Sequence, residues 1–279
     1  MDSIYTSQKI NILTYFITKI YIMLQIFKKD TFEKMGIFIL ILYLGVEDYM
    51  NKFYKEICKY YEDIFPKNEA QLNFLNSISE GKDYLDIGCA TGLVAKNLEE
   101  LGKNVTCIDL EESMVNEARK KGLKVYKKNM LELDFEEKFD VCYCIGTTIA
   151  HLEDINQICS FILKTLELLK EDGKLVLSWV NFKPFILKHD LFLGALPTLG
   201  TKVKFTRNYY RENSKIRFNT VLTTENESFE NTQLLVPLLV DDIISFVNTL
   251  GLKYEIYGSF KKEEFDEENS PSVVFVISK

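Results

Sequence analysis

One short segment of the chain combines an acid, two glycines and the start of a helix, a spacing that suits ligand binding. Residues 84–92 read Tyr-Leu-Asp-Ile-Gly-Cys-Ala-Thr-Gly and lie between a predicted strand and a predicted helix. Small residues at such a turn let the backbone approach a ligand closely, and the first N–H groups of the helix attract a carboxylate or a phosphate. The candidate binding residues in this segment are Asp86, Gly88, Cys89, Ala90 and Gly92.

A second acid, Asp109, follows Gly92 by 17 residues and ends the next predicted strand. An acidic side chain at this place can accept hydrogen bonds from both hydroxyls of a ribose. The two features together predict a nucleoside-bearing ligand at the carboxyl ends of parallel strands. A dinucleotide prefers the spacing G-x-G-x-x-G, whereas the carboxylate of Asp86 before this turn favours a ligand that carries an ammonium group.

Strands and helices alternate around these residues, which is the pattern of βαβ units in a parallel sheet with helices on both faces. The predicted strands of this part are Asp83–Ile87, Asn104–Asp109, Leu123–Lys127, Phe139–Ile145 and Lys174–Val180. Beyond Val180 the alternation stops. The sequence there predicts antiparallel strands, then a helix and two last strands: Lys202–Tyr210, Lys215–Thr224, Ser228–Val236, Val240–Leu250, Leu252–Phe260 and Ser272–Ser278.

With these elements in place, the sequence resembles the class I S-adenosylmethionine-dependent methyltransferases over roughly Met50–Lys279. The family pattern D-x-G-x-x-x-G matches at Asp86, Gly88 and Gly92, and Ala90 departs from the commoner glycine. The resemblance implies a Rossmann-like α/β fold, with a seven-stranded, mostly parallel sheet, helices on both faces and a final antiparallel β-hairpin. It also implies that an antiparallel insert, residues 181–238, covers the substrate.

The resemblance also implies which residues hold the cofactor, S-adenosyl-L-methionine. The motif residues would line its methionine part, Asp109 would bind the ribose hydroxyls and Leu110 would flank the adenine. Asn129, followed by the apolar Met130, replaces the family's Asp, and its side-chain carbonyl can still accept a hydrogen bond from the adenine amine. The segment that begins at Cys144 would offer a backbone carbonyl to the cofactor ammonium. Tyr54 or Tyr61, on the first helix, would bind the methionine carboxylate, unless these tyrosines belong to the core.

Residues 145–152 resemble the corresponding segment of glycine and sarcosine N-methyltransferases, although those relatives often have Asn at the position of Thr147. Within this segment His151 either orients the nucleophile or caps and packs a helix start. Arg207 and Arg211 lie in the predicted insert of a chain that otherwise uses lysine. Because arginine binds a carboxylate in a two-pronged way, we expect one of them to meet an anionic group of the substrate. The alternative is a solvated strand face.

These features predict an enzyme that transfers a methyl group to a small molecule, an amine or an amino-acid-like acceptor. No strong general base is evident, which favours an amine because its own lone pair attacks. The alternatives left open are methylation of RNA or protein, a protein that binds S-adenosylmethionine without turnover, and a nicotinamide dehydrogenase.

The composition limits which kinds of partner and metal site we expect. The 279 residues carry 34 Lys and Arg against 41 Asp and Glu, a net charge of −7, which argues against a general binder of duplex nucleic acid. The six cysteines form no C-x-x-C pair and the histidines are far apart, so we predict no metal site and a reducing, cytoplasmic location.

The first 49 residues differ from the rest because they contain two mostly apolar runs, 10–27 and 35–46. Each is interrupted or shorter than the roughly 20 residues of a membrane-spanning helix. Three interpretations are open: a membrane-surface anchor, a helical cap, or sequence upstream of the true start near Val46 or Met50. We favour the last and expect residues 50–279 to fold and bind the cofactor without it. Contact with a membrane is expected only if residues 10–46 are an anchor, and the oligomeric state stays open.

Overall fold

The computed structural model describes residues 52–279, so the interpretations of residues 1–49 lie outside the described part. Its elements follow one another along the chain. They are α1 (52–64), α2 (Glu69–Ser77), β1 (Asp83–Ile87), α3 (Leu93–Glu100), β2 (Asn104–Asp109), α4 (Glu112–Lys120), β3 (Lys124–Lys127), β4 (Phe139–Cys144), a 3₁₀ turn (Thr148–His151), α5 (Ile155–Leu168), β5 (Leu169–Val180), α6 (Lys183–Ile186), β6 (Phe192–Leu199), β7 (Lys204–Glu212), β8 (Lys215–Thr223), β9 (Ser228–Leu235), α7 (Val240–Thr249), β10 (Lys253–Tyr257) and β11 (Ser272–Ser278).

The larger sheet has seven strands in the order β10-β11-β5-β4-β1-β2-β3. Strands β1 to β5 pair with one another in parallel, and β11 runs antiparallel to both β5 and β10. Because the order reverses beside β1, the loops after β1 and β4 diverge there, and this is where open α/β sheets bind ligands. The predicted fold class is confirmed.

The strands beside this point are apolar because helices cover both faces of the sheet. Every residue of β1 after Asp83 is buried, including the acid Asp86, and every residue of β4 except Asp140 is buried. Two clusters of buried side chains lie on the two faces. One is centred on Trp179, Phe161 and Phe275, the other on Tyr84 and Tyr143. The carboxyl ends of the strands are therefore held rigidly.

The second sheet contains four antiparallel strands, β6-β7-β8-β9, and lies in the chain between α6 and α7. The sequence predicted three of them. Strand β6 was missed because Gly194 and Pro197 give it the composition of a loop. Strand β5 also begins at Leu169, five residues before the predicted start at Lys174, where its pairing with β4 is irregular.

The inner face of this second sheet packs against helix α1. Phe205, Leu222 and Phe229 lie opposite one another on β7, β8 and β9, and they form one cluster with Phe53 and Ile57 of α1. The other end of the sheet is attached to the loops at the strand ends, because Val236 N donates to Ala150 O at 2.8 Å. The sheet therefore lies over the carboxyl ends of the parallel strands.

Within residues 52–279, no helix combines the length and apolar character that a membrane crossing requires.

Candidate cofactor and acceptor site

The segment after β1 forms a tight turn that leads into α3. Gly88 N and Cys89 N both donate to Ile108 O of β2, at 2.9 and 3.0 Å. Ala90 has a φ of 48° and Gly92, which precedes α3, a φ of 75°. Gly92 provides no side chain to cap the helix. The first N–H groups of α3 therefore point outward from the turn without a side-chain acceptor.

The two glycines of the motif are required by packing as well as by backbone conformation. Both have positive φ, and a Cβ atom on Gly88 would lie 2.5 Å from Cγ2 of Thr148, in the turn after β4. A Cβ on Gly92 would lie 2.3 Å from Cδ1 of Leu123 and 3.1 Å from Cβ of Ala118. The small residues thus bring the turn after β1 against the rest of the fold, a role the sequence had assigned to contact with a ligand.

Asp109 joins the loops that follow β1 and β2. One carboxylate oxygen accepts a hydrogen bond from Ala90 N at 2.8 Å, and the other accepts from Glu111 N at 2.9 Å. Burial raises the pKa of this carboxyl, and the backbone N–H groups oppose that shift. Each oxygen has a further lone pair, so these bonds leave the carboxylate able to accept from a ligand.

Asp86 is a buried acid at the base of the same site, with 2% of its surface exposed. Burial raises its pKa to about 8; Tyr143 on β4 opposes the shift and the charge of Asp109 adds to it. The Tyr143 hydroxyl is itself buried and has no partner in hydrogen-bond geometry among the described residues. A cation placed beside Asp86 would favour its ionised form.

A cleft of about 210 Å³ opens above these groups. Its walls include the predicted residues Tyr61, Asp86, Gly88, Cys89 and Ala90. The cleft also has lining residues beyond the predicted cofactor residues. They are Phe65, Lys67, Gln71 and Asn97, together with Ile145 and Thr148 of the predicted segment after β4. Phe65 and Lys67 lie between α1 and α2, Gln71 lies on α2 and Asn97 lies on α3, and none of these four belongs to a sequence motif. The break at Pro66 was the only signal that a wall of the site follows α1.

The remaining predicted cofactor residues, including Gly92 and Asp109, lie outside the lining of this cleft, and Asp109 adjoins it through its bond to Ala90 N. Leu110 is 59% exposed beside Asp109. The side-chain oxygen of Asn129 accepts from Leu131 N at 2.9 Å, so the atom expected to meet an adenine amine already has one partner. Met130 packs against the main core, and the Cys144 side chain is fully buried within β4.

The cleft fits the amino-acid end of S-adenosylmethionine in charge. Asp86 on one wall suits an ammonium group, and the N–H groups at the uncapped start of α3, where Leu93 and Val94 line the cleft, suit a carboxylate. Among the described residues, no group of three or more His, Cys, Asp and Glu side chains is arranged to hold a metal ion.

Two tyrosines of α1 face this region. Tyr61 lines the cleft, and its pKa is raised, first by burial and then by the charges of Asp109 and Asp86. The hydroxyl of Tyr54 accepts a hydrogen bond from Gln233 Nε2 at 3.3 Å, and burial, followed by Glu111, raises its pKa to about 12. Tyr61 is therefore on the cofactor side of α1, and Tyr54 is on the side of the second sheet.

His151 ends the 3₁₀ turn after β4. Its side chain is exposed to solvent, yet protein atoms crowd it enough to lower its pKa to about 4 by desolvation. The ring makes no hydrogen bond to the described residues. The imidazole is consequently neutral at pH 7.

The two candidate arginines are both on β7 but have different partners. Arg211 donates from Nη2 to the carbonyls of Ile186, at 3.1 Å, and Lys188. Arg207 donates from Nη2 to Pro197 O at 3.0 Å, and its Nε is buried without a partner. The structure therefore separates two residues that the sequence treated alike.

Comparison with known proteins agrees with this geometry. Residues 85–173 match a family described as a methyltransferase domain. The chain is 29% identical over 207 residues to a ubiquinone biosynthesis O-methyltransferase of Rickettsia conorii. The aligned region covers 68% of this chain and 69% of that protein.

Two solved structures share the fold. An S-adenosylmethionine-dependent methyltransferase from Clostridium acetobutylicum superposes with a TM-score of 0.66 at 17% identity, covering 82% of this chain and 98% of that one. The sugar N-methyltransferase KedS8 from Streptoalloteichus superposes with a TM-score of 0.61 at 18% identity, covering 78% and 90%.

The chain has the fold of class I S-adenosylmethionine-dependent methyltransferases, and it is an S-adenosylmethionine-dependent methyltransferase. The Rickettsia relative is named for a hydroxyl acceptor. The narrower resemblance to glycine and sarcosine N-methyltransferases is not confirmed and stays a prediction.

Gly88→Ala should destabilise the chain more than Gly122→Ala. Both glycines have φ near +80°, but a Cβ on Gly122 meets nothing within 4 Å. The loss of unfolding free energy in Gly122→Ala therefore reports the backbone cost alone. In Gly88→Ala the contact with Thr148 should increase this loss by about 1–3 kcal/mol. Denaturant unfolding measures both, and equal losses would contradict the packing role of Gly88.

Asp109→Ala should weaken binding of S-adenosylhomocysteine by about 1–3 kcal/mol, the cost of a lost charged hydrogen-bond partner. The affinity of Asp109→Asn should lie between those of Asp109→Ala and the wild type, because the amide keeps one acceptor oxygen. Isothermal titration measures the affinities, with the exposed Glu132→Gln as a charge control. Unchanged affinity in Asp109→Ala would refute the ribose assignment.

Asp86→Asn should stabilise the protein at high pH while weakening cofactor binding. The folded-state pKa of Asp86 is raised from 3.8 to about 8, so the folded chain holds a proton that the unfolded chain releases. The wild type should lose up to about 1.4 kcal/mol of unfolding free energy per pH unit across this interval, and the Asn variant should not.

Thermal unfolding between pH 5 and pH 9 tests this prediction. The difference in Tm between Asp86→Asn and the wild type should grow up to about pH 8 and then level off. The exposed Glu136→Gln controls for the general loss of one charge. A difference in Tm that is independent of pH would mean that Asp86 is ionised in the free protein.

Proposed function

We propose that the protein transfers a methyl group from S-adenosylmethionine to the amino group of a small polar molecule. On this proposal residues 50–279 form the methyltransferase domain, and residues 181–238 cover the acceptor. When bound, S-adenosylmethionine supplies a methyl group on a sulfonium, which is already activated. The work left to the protein is to orient the acceptor and exclude water.

The observation that carries the proposal is the polar centre of the second sheet's inner face. Arg207, Thr220 and Asn231 lie directly opposite one another on β7, β8 and β9. Apolar contacts flank them, with Phe205 packed on α1 at one side and Tyr209 packed on Phe182 at the other. A short polar stretch between two apolar anchors favours a small polar acceptor over a macromolecule, in line with the net charge of −7.

The preference for an amine rests on His151. A base with a pKa near 4 is a weak proton acceptor at neutral pH, whereas an unprotonated amine attacks with its own lone pair and loses its proton afterwards to water. The similarity in fold to a sugar N-methyltransferase supports the same preference.

A hydroxyl acceptor is the second candidate. The relatives named ubiquinone biosynthesis O-methyltransferase favour it, and the neutral, unpaired imidazole of His151 is the group that would take the hydroxyl proton.

Methyl-labelled S-adenosylmethionine and matched amino and hydroxyl acceptors distinguish the candidates. With amines, His151→Asn should lower kcat by less than about tenfold, and the pH profile should follow the pKa of the amine. With hydroxyl acceptors His151→Asn should lower kcat by about 10²–10⁴-fold, the usual contribution of a general base. His189→Asn, an exposed histidine, is the control. Turnover of hydroxyl acceptors alone would refute the amine proposal.

A further inference from the structure

Arg207 differs from the other three arginines in its partners. Of the four arginines, Arg119 pairs with Glu112 at 3.4 Å, and Arg217 pairs with Glu212 at 3.0 Å while lying over the ring of Tyr210. Arg211 is held by two backbone carbonyls. Arg207 has only the carbonyl of Pro197, and within residues 52–279 no carboxylate lies within 4 Å of it. A half-buried guanidinium with an unpartnered Nε is costly unless a ligand compensates it.

A second unpaired group lies in the same row. Asn231 is 6% exposed, and its side-chain oxygen is buried without a partner. Thr220, between Arg207 and Asn231, donates from its hydroxyl to the backbone carbonyl of Asn231 at 3.3 Å. The row therefore presents a cationic donor at one end and an amide oxygen without a partner at the other, where the Asn231 side chain also lies beside the Tyr54 hydroxyl.

The next row of the same face is aromatic. Tyr209 and Phe218 lie opposite each other, and their rings are stacked with centroids 5.0 Å apart. Gln233, opposite Phe218, is tied to the hydroxyl of Tyr54 on α1. Tyr209 is buried and also packs on Phe182 and Phe185, so the aromatic pair forms an apolar wall beside the polar row.

Glu230, the acid next to Asn231 in sequence, does not neutralise the charge of Arg207. Glu230 precedes Asn231 and so points to the opposite face of the sheet, where it accepts from Asn219 Nδ2 at 2.5 Å. The positive charge of Arg207 is therefore left for a ligand.

We propose that Arg207 binds a carboxylate or phosphate group of the methyl acceptor and that Asn231 bonds a neighbouring polar group of the same molecule. The assignment rests on the proposed function, because it takes the space under the second sheet as the acceptor site. Its consequence is that the acceptor is an anionic small molecule, and that Arg207 determines this specificity.

Matched acceptors test the assignment. An amino acid is compared with its carboxamide, and an amino sugar phosphate with the same sugar lacking the phosphate. The wild type should prefer the anionic member of a turned-over pair by about 10-fold to 100-fold in kcat/KM, as expected for a two-pronged charged contact. Arg207→Met should abolish the preference mainly through KM, and Arg207→Lys should keep part of it. Arg217→Met, on the opposite face, should leave it unchanged.

Binding without turnover separates this proposal from the proposed function. Benzoate and inorganic phosphate should raise the Tm of the wild type and of Arg217→Met. The rise should be smaller for Arg207→Met and Arg207→Lys. Anion binding that depends on Arg207, without methyl transfer to any acceptor, would refute the proposed function and keep the anion site. Equal turnover of neutral and anionic acceptors by the wild type would overturn the anion site and keep the function.

Discussion

The carboxylate of Asp109 accepts hydrogen bonds from Ala90 N and Glu111 N, and the site depends on this double contact. It fixes the turn after β1 to the end of β2, so that the left-handed conformation of Ala90 and the uncapped start of α3 are held in place. The turn is fixed on its other side by Gly88, which approaches Thr148 too closely for any side chain. Three loops from three neighbouring strands are thereby joined before any ligand binds, which is the condition for preorganised binding.

Helix α1 extends this arrangement to the second sheet. Lys121 contacts both Glu62 of α1 and the carbonyl of Thr91 in the motif. Asp63, the next residue of α1, accepts from Thr201 N at 2.7 Å, in the turn before β7. The helix therefore forms a wall common to the cofactor cleft and to the proposed acceptor site. A single element thus positions two ligands relative to each other, and methyl transfer requires such alignment.

Much of the fold and of the cofactor site was predictable from the sequence, because hydrophobic periodicity and turn residues are local signals. The parallel strands, the motif and Asp109 follow from short stretches of sequence. The contact of Gly88 with Thr148 was not predictable, because it depends on the pairing of β1 with β4, 60 residues apart. Arg207 and Arg211 could not be separated, because they share a strand and differ only in which carbonyls and carboxylates surround them. Strand β6 was missed because Gly194 and Pro197 imitate a loop, and its pairing with β7 overrides that composition.

The central claim is that the cleft beside Asp86 and Asp109 binds an S-adenosyl ligand, and isothermal titration of the full chain tests it most directly. Titration with S-adenosylhomocysteine should give saturable binding with one site per chain. NAD should give none, because the turn after β1 lacks the G-x-G-x-x-G spacing that holds a pyrophosphate. Saturable binding of NAD without binding of S-adenosylhomocysteine would contradict the account.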